Sequence, residues 1–326
     1  MTGRIRLGLV GTGWITGLHL RALERLDRTE LVGTVSRSTE RAAAIASRWG
    51  GQPYDDVVEL LQRERPDAVI VCLPPNRSPA ACDVLIEHGI PFLTEKPLAA
   101  VADDAERVAA RLWSGTPMAA VGYQWRALDF LPLVRERLAA RPVRLVLGRW
   151  TGGLPAPRWW RHVAESGGQI VEQATHLYDL ARNLVGEAEV VAAASGRWPR
   201  PSVPDADVDD VGAAIVRFGD GSVGSFINAS LLESAVVELD LIADGRRTTI
   251  RMHPGEPGPS WTLTLDDGDG EQTIGTRRDP YEIQAERFLD CLASGDPGGL
   301  LSSYADALLT DRLVRAVVTE SRRRDR

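Results

Sequence analysis

Two groups of ionisable side chains have residue types and spacing that could do chemistry. In the first, Glu95-Lys96-Pro97 follows the apolar run Ile90-Pro91-Phe92-Leu93-Thr94. That run reads as a short buried strand, broken by Pro97. The Glu95–Lys96 pair therefore stands at the carboxyl end of a strand, where open α/β sheets bind their ligands. Of 38 basic residues, Lys96 is the one lysine. Arginine keeps its proton in proteins, whereas lysine can lose it and responds to burial. A lysine kept in a chain that otherwise uses arginine points to a chemical role, and the alternative is a solvated turn.

The second group lies in Ser166-Gly167-Gly168-Gln169-Ile170-Val171-Glu172-Gln173-Ala174-Thr175-His176-Leu177-Tyr178-Asp179. Glu172, His176 and Asp179 fall at i, i+4 and i+7, one face of a regular helix. A histidine between carboxylates has its protonated form favoured and its ring oriented. That suits a general acid/base acting on an alcohol or carbonyl. Two other readings stay open: an exposed helix with incidental polar pairs, and a metal-binding facial triad. No further ligand cluster accompanies the three residues, so no metal is expected.

The elements that must position these groups come in two series. Arg4–Val10 is an apolar strand, Gly11-Thr12-Gly13 a glycine turn, and Trp14 and Ile15 open a helix that runs through Leu23. Strand, glycine turn and helix are the context a dinucleotide fingerprint requires. Gly11 allows the tight turn, and Gly13 lets the backbone approach a pyrophosphate at the helix N-terminus. Thr16 replaces the third glycine of that fingerprint, which implies slightly wider helix–strand packing. Strands are then expected at 30–35, 67–73, 90–94 and 118–121, alternating with helices at 39–49, 55–63, 78–88 and 103–113. Such alternation implies a parallel, doubly wound sheet with right-handed crossovers.

At the end of the second strand, Ser36, Arg37 and Ser38 stand where an NAD site usually places a carboxylate. They favour the 2′-phosphate of NADP over NAD. Ser38 also suits the N-cap of the next helix. Leu73-Pro74-Pro75-Asn76 closes the 67–73 strand as a stiff loop. It could lie beside a nicotinamide or simply end the strand.

After residue 122 the pattern becomes β-rich, with strands expected at 143–150, 189–196, 208–218, 222–230, 236–242, 247–252 and 261–265. Helices are expected at 129–139, 281–293 and 302–321. Consecutive strands without intervening helices imply a mostly antiparallel sheet. The fold class is therefore α/β: a Rossmann domain over 1–122, then an α+β domain over 123–326 with a large open sheet. Gln124, Trp125 and Arg126, like Trp159 and Trp160, could stack on a sugar face and bridge its hydroxyls, or could pack a domain interface.

The net charge of −7 disfavours nucleic acid or an anionic membrane surface as the main partner. The three cysteines, Cys72, Cys82 and Cys291, show no paired spacing and suit a reducing compartment. No apolar run approaches transmembrane length. A cytoplasmic protein is expected.

With Gly11-Thr12-Gly13, Glu95-Lys96-Pro97, and Gly167-Gly168 followed by His176 and Asp179, the chain resembles the Gfo/Idh/MocA oxidoreductases over nearly its whole length. The resemblance implies that Lys96 orients and polarises a substrate oxygen near the nicotinamide, and that His176 is the general acid/base. The position four residues before that histidine is commonly Asp in the family and is Glu172 here. The resemblance further implies a sugar, cyclitol or sugar derivative as substrate, and a homodimer or homotetramer built through the second-domain sheet. Two rivals keep the cofactor: a regulator without turnover, and an enzyme using transient redox on a tightly held cofactor.

Overall fold

The computed structural model describes residues 4–112 and 116–323. In chain order the elements are β1 (Ile5–Val10), α1 (Trp14–Leu26), β2 (Thr29–Val35), α2 (Thr39–Trp49), β3 (Gln52–Tyr54), α3 (Val57–Glu64), β4 (Ala68–Val71), α4 (Ser78–Glu87), β5 (Phe92–Thr94), α5 (Ala102–Arg111) and β6 (Ala119–Val121). There follow α6 (Leu131–Ala140), β7 (Leu145–Thr151), α7 (Val163–Ser166), a π turn at Ile170–Ala174 and α8 (Thr175–Val185). Next are β8 (Ala188–Gly196), β9 (Val211–Phe218), β10 (Val223–Ala229), β11 (Val236–Ala243), β12 (Arg246–His253), β13 (Ser260–Asp266) and β14 (Glu271–Gly275). Helices α9 (Pro280–Ser294) and α10 (Tyr304–Arg323) complete the order.

By its internal contacts the chain divides into two compact units: Met1–Ala127 with Asp279–Leu308, and Leu128–Arg278 with Leu309–Arg326. The sequence reading placed 279–308 in the second domain, but this segment contacts the first unit. An amphipathic pattern shows that α9 buries a face, not which core receives it. Ala285, Phe288 and Leu289 of α9 join Leu7, Leu9, Leu20 and Leu93 in one core cluster.

In the first unit, six parallel strands take the order β3-β2-β1-β4-β5-β6. The order reverses direction between β1 and β4, which defines the ligand-binding crevice of such sheets. Strand β4 reads AVIV and is buried throughout, as a central parallel strand covered on both faces requires. Four differences from the sequence reading have local causes. The strand expected to reach Leu73 ends at Val71, because Pro74 and Pro75 follow. Strand β3 was not expected: it is three residues long, contains Pro53, and is held by pairing with Gly33–Val35. Helix α3 starts at Val57 because Asp56 is its N-cap, accepting from the Glu59 N–H. The helix expected at 103–113 runs from Ala102 to Arg111, and its expected last residue, Trp113, lies outside the described residues.

The second unit holds an eight-stranded sheet of order β14-β13-β12-β11-β7-β10-β9-β8. Its pairs are antiparallel except β10 with β7, which run parallel. Strand β9 alternates strictly between buried and accessible positions, the signature of a sheet covered on one face. Tyr178 of α8 stacks on Phe226 of β10, with ring centroids 4.1 Å apart. Gly148 makes room for that ring, since a Cβ there would lie 2.3 Å from Phe226 Cδ1. Among the described residues no helix is long and apolar enough to cross a membrane.

Candidate functional site

The first cluster is built on the carboxyl ends of β1, β4, β5 and β6. Gly11 N–H donates to Val35 O and Cys72 N–H to Val10 O, which locks the glycine turn against the end of β4. Gly11 has φ +108°, and a Cβ there would come within 2.2 Å of Cys72 O, so no other residue fits. Gly13, by contrast, faces open space, with nothing within 4 Å of a Cβ placed there. It is the N-cap of α1, makes no side-chain cap, and no acidic residue follows in the first turn. The leading N–H groups of α1 are thus left for an anion that can approach closely. The donor set and the space fit a dinucleotide pyrophosphate. Thr16 is fully buried and its Oγ1 donates to Gly11 O at 3.1 Å. The residue that replaces the third glycine therefore braces the turn. Trp14 is exposed and Ile15 half-buried at the mouth of this turn.

At the end of β2, Arg37 is exposed and no carboxylate stands at Ser36, Arg37 or Ser38. Ser36 Oγ lies 2.9 Å from Thr12 Oγ1 and accepts from the Ser38 N–H. Ser38 caps α2, accepting from the Arg41 N–H, while its hydroxyl donates to Glu40 at 2.7 Å. That bond, the largest influence on Glu40, holds its carboxyl below the usual range. Leu73 and Pro74 are half-buried, Pro75 buried and Asn76 exposed. Pro74 O accepts from the N–H groups of Arg77 and Ser78, so the loop is a closed turn leading into α4.

Glu95 does not share the exposure of its neighbour. Lys96 is half-buried, whereas the Glu95 side chain is 8% exposed and hydrogen-bonded to His19 Nε2 of α1 at 2.7 Å. The His19 ring meets Tyr281 of α9 edge-on, with centroids 5.5 Å apart, and Tyr281 Oη accepts from Gln124 Nε2 at 3.0 Å. A Cβ on Gly122, which follows β6, would sit 2.8 Å from Glu95 Oε1, so the glycine leaves room for this carboxyl. Burial first, and then Glu95, push the Cys72 thiol well above its ordinary range. Burial, then Glu95, do the same to the Tyr281 phenol. His19 and Tyr281 escaped the sequence reading because their partners lie far off in the chain. The apolar face of α1 carrying a histidine was the available signal.

Gln124, Trp125 and Arg126 are all buried in the first unit. Arg126 donates to Leu301 O at 3.1 Å and pairs with Asp306. The structure thus gives this trio burial within the first unit, and gives Arg126 a carbonyl and an ion-pair partner there.

The second cluster is organised by Gly167 and Gly168, whose φ values of +80° and +86° turn the chain from α7 into the π turn. Gln169 is buried there, accepting from Asn228 Nδ2 at 2.9 Å and donating to Ala229 O at 3.0 Å. The π turn adds a residue to one helical turn, so uniform α spacing does not hold from Glu172 to Asp179. Single π turns are frequent at functional sites. Glu172 accepts from Trp160 Nε1 at 2.7 Å. Asp179, fully buried, accepts from Thr310 Oγ1 of α10 at 2.9 Å. His176 is 4% exposed and lies parallel to the Trp150 indole of β7, with centroids 5.9 Å apart. Trp160 is buried; Trp159 and Gln173 are half-buried. Among the described residues no three His, Cys, Asp or Glu side chains converge as a metal-binding group.

Comparison with known proteins accords with both units. Residues 5–123 match the family model described as an oxidoreductase family with an NAD-binding Rossmann fold. Residues 141–251 match the GFO/IDH/MocA C-terminal domain. An inositol 2-dehydrogenase of Rubrobacter xylanophilus is 28% identical, covering 96% of this chain and 91% of its own. A myo-inositol 2-dehydrogenase of Thermotoga maritima is 24% identical, covering 90% of each chain. Among solved structures, a 3-ketoreductase from Actinomadura kijaniata in complex with NADP and TDP-benzene has a TM-score of 0.84. It shares 22% identity and covers 98% of both chains. The WlbA dehydrogenase of Bordetella pertussis, in complex with NADH and UDP-GlcNAcA, has a TM-score of 0.81, 22% identity, and coverage of 98% of this chain and 97% of that one.

Proposed function

The chain belongs to the Gfo/Idh/MocA oxidoreductase family, and on that premise we propose that it oxidises or reduces a hydroxyl/keto carbon of a sugar, cyclitol or sugar derivative. The observation that carries this reading is the Gly11 turn, locked at the β1/β4 crevice, with Lys96 at the carboxyl end of β5 in the same sheet. The first unit holds the dinucleotide: the α1 N-terminus takes the pyrophosphate, and Arg37 with Ser36 takes the 2′-phosphate, favouring NADP over NAD. Bound there, the nicotinamide gives or takes hydride.

The chain's own residues supply the rest. The Lys96 ammonium orients the substrate oxygen and polarises its bond. A ring nitrogen of His176 takes the hydroxyl proton in oxidation and returns it in reduction. Glu172, held by the Trp160 indole N–H, favours the imidazolium. Trp159 and Gln173, both half-buried, stand next in sequence to Trp160 and Glu172 and are assigned to the substrate. The polyhydroxylated ring is supported by the inositol dehydrogenases among the relatives. Ile215, Val223 and Ile227 stand exposed on one face of β9 and β10, which supports a homodimer or homotetramer through this sheet. We place the protein in the cytoplasm.

The test is a screen of sugars, cyclitols and keto-sugars in both directions, following NADPH absorbance. Turnover lost in His176→Ala supports the reading. Tight NADPH binding with no turnover of any substrate refutes it in favour of a non-catalytic binder. Copurifying cofactor with substrate conversion but no net absorbance change points to internal redox cycling.

A further inference from the structure

The imidazole of His176 has a neighbour that the family motifs do not include. Alternation along β7 puts Val146, Gly148 and Trp150 on one face and Leu145, Leu147 and Arg149 on the other. The register places Val237 of β11 and Asn228 of β10 beside Trp150. Tyr178 stacking on Phe226, the cross-strand neighbour of Gly148, shows that α8 lies on this face. His176 contributes the next ring contact on that face, parallel to the Trp150 indole within 15° at 5.9 Å. This is an offset stack at a separation typical of productive aromatic pairs.

The charges around the ring decide what such a stack can do. Arg149 and Arg251 both pair with Glu238 on the opposite face of the sheet. Asp240 shares their face, since it lies opposite Leu147. Strand β10 carries no ionisable side chain. On the helix's own segment, Glu172 is held by Trp160 and Asp179 by Thr310. Tyr178 is pushed upward by burial and stays a neutral phenol. On α10, Asp311 is paired with Arg315. The sheet therefore presents to the imidazole the neutral side chains of Trp150, Val237 and Asn228. The indole face carries negative electrostatic potential, and an imidazolium within about 6 Å of it is attracted.

We propose that Trp150 is a positioning residue for His176: the indole fixes the plane of the imidazole and favours its protonated form. The catalytic consequence rests on His176 being the acid/base, but the stack itself does not. The primary readout is therefore the NMR titration of the His176 ring, assigned by the signal lost in His176→Gln. Trp150→Leu lowers the midpoint by roughly half a unit to one unit, and Trp150→Phe by less. Site-specific replacement of Trp150 by a fluorinated tryptophan keeps the volume and weakens the π face. It lowers the midpoint even if Trp150→Leu fails to fold. In the oxidative direction the pH–rate midpoint follows the NMR midpoint, while cofactor dissociation constants stay at parent values. A titration midpoint unmoved by fluorination and by Trp150→Phe overturns the proposal, whatever the activity. A midpoint that moves in a protein with no nicotinamide-linked turnover leaves the stack standing and refutes the proposed function instead.

Discussion

Replacing His19 by leucine removes the hydrogen-bond partner of Glu95 and leaves the carboxyl in place. The two side chains are 1% and 8% exposed and meet at 2.7 Å, so Glu95 has almost no water to fall back on. A buried ionic or charge-assisted pair adds little net stability when intact, because desolvation offsets the attraction. Deleting one partner, however, strands the other and costs about 3–5 kcal/mol. For a unit of this size each kcal/mol moves the thermal midpoint by about 2–4 °C, so His19→Leu is expected to melt about 6–20 °C lower. Glu95→Gln keeps an acceptor for the imidazole and costs less, about 1–2 kcal/mol. In the double variant His19→Leu/Glu95→Leu no charge is stranded, and stability returns toward the parent. The assay is calorimetric unfolding of the four proteins at neutral pH. If His19→Leu melts within about 1 °C of the parent, or if the double variant is no more stable than His19→Leu, the stranded-charge reasoning is wrong.

Three further outcomes are expected. Lys96→Met should lower turnover at least a hundredfold, on the scale of a lost catalytic proton or electrostatic group, with cofactor dissociation constants near the parent values; parent-like turnover would reduce Lys96 to a surface charge. Ser36→Asp with Arg37→Ala should move the ratio of NADP to NAD dissociation constants toward NAD, and a parent that already binds NAD more tightly removes the basis for NADP. Cys72 and Cys82 are buried and their thiols pushed up, to about 12 for Cys82, so both should resist thiol reagents at pH 8 until the chain unfolds. Because both folded-state values lie above the unfolded ones, their contribution is fully present below the ordinary thiol range and is lost as pH rises above it, for Cys82 as pH climbs toward 12. Labelling of the native chain at unfolded-chain rates would contradict the burial.

What the sequence disclosed was the part of the fold that repeats locally. Helix α2 begins and ends where its pattern says, because Ser38 caps it and Gly50 follows its last residue. The parallel order of the first sheet follows from alternating strands and helices, since right-handed crossovers leave few other arrangements. Elements whose existence depends on a neighbour were silent. Strand β3 has a proline at its centre and forms because β2 offers it an edge. Strand β14 exposes most of its residues and is held by pairing with β13. Helix α9 has an apolar face that fits either core, and the long return to the first unit is not written in its periodicity.

The site divides along the same line. The Gly11 turn was legible because its chemistry is local: a positive φ and a close backbone approach can be read from one short stretch. The second cluster was legible in its residues but not in its geometry. Reading Glu172, His176 and Asp179 as one face assumes 3.6 residues per turn, and the π turn at Ile170–Ala174 breaks that assumption just before the histidine. The consequence is a division of labour. Glu172 is fixed by an indole from the Arg158–Arg161 segment, and Asp179 is committed to α10. His176 keeps its place on the sheet through Trp150, a residue that lies 26 positions upstream and carries no motif of its own. Each of the three side chains is therefore answerable to a different element of the second unit. Trp150→Leu removes the ring contact of His176, whereas Glu172→Gln changes a charge held by the Trp160 indole, so in a double variant their effects on the His176 titration midpoint should add.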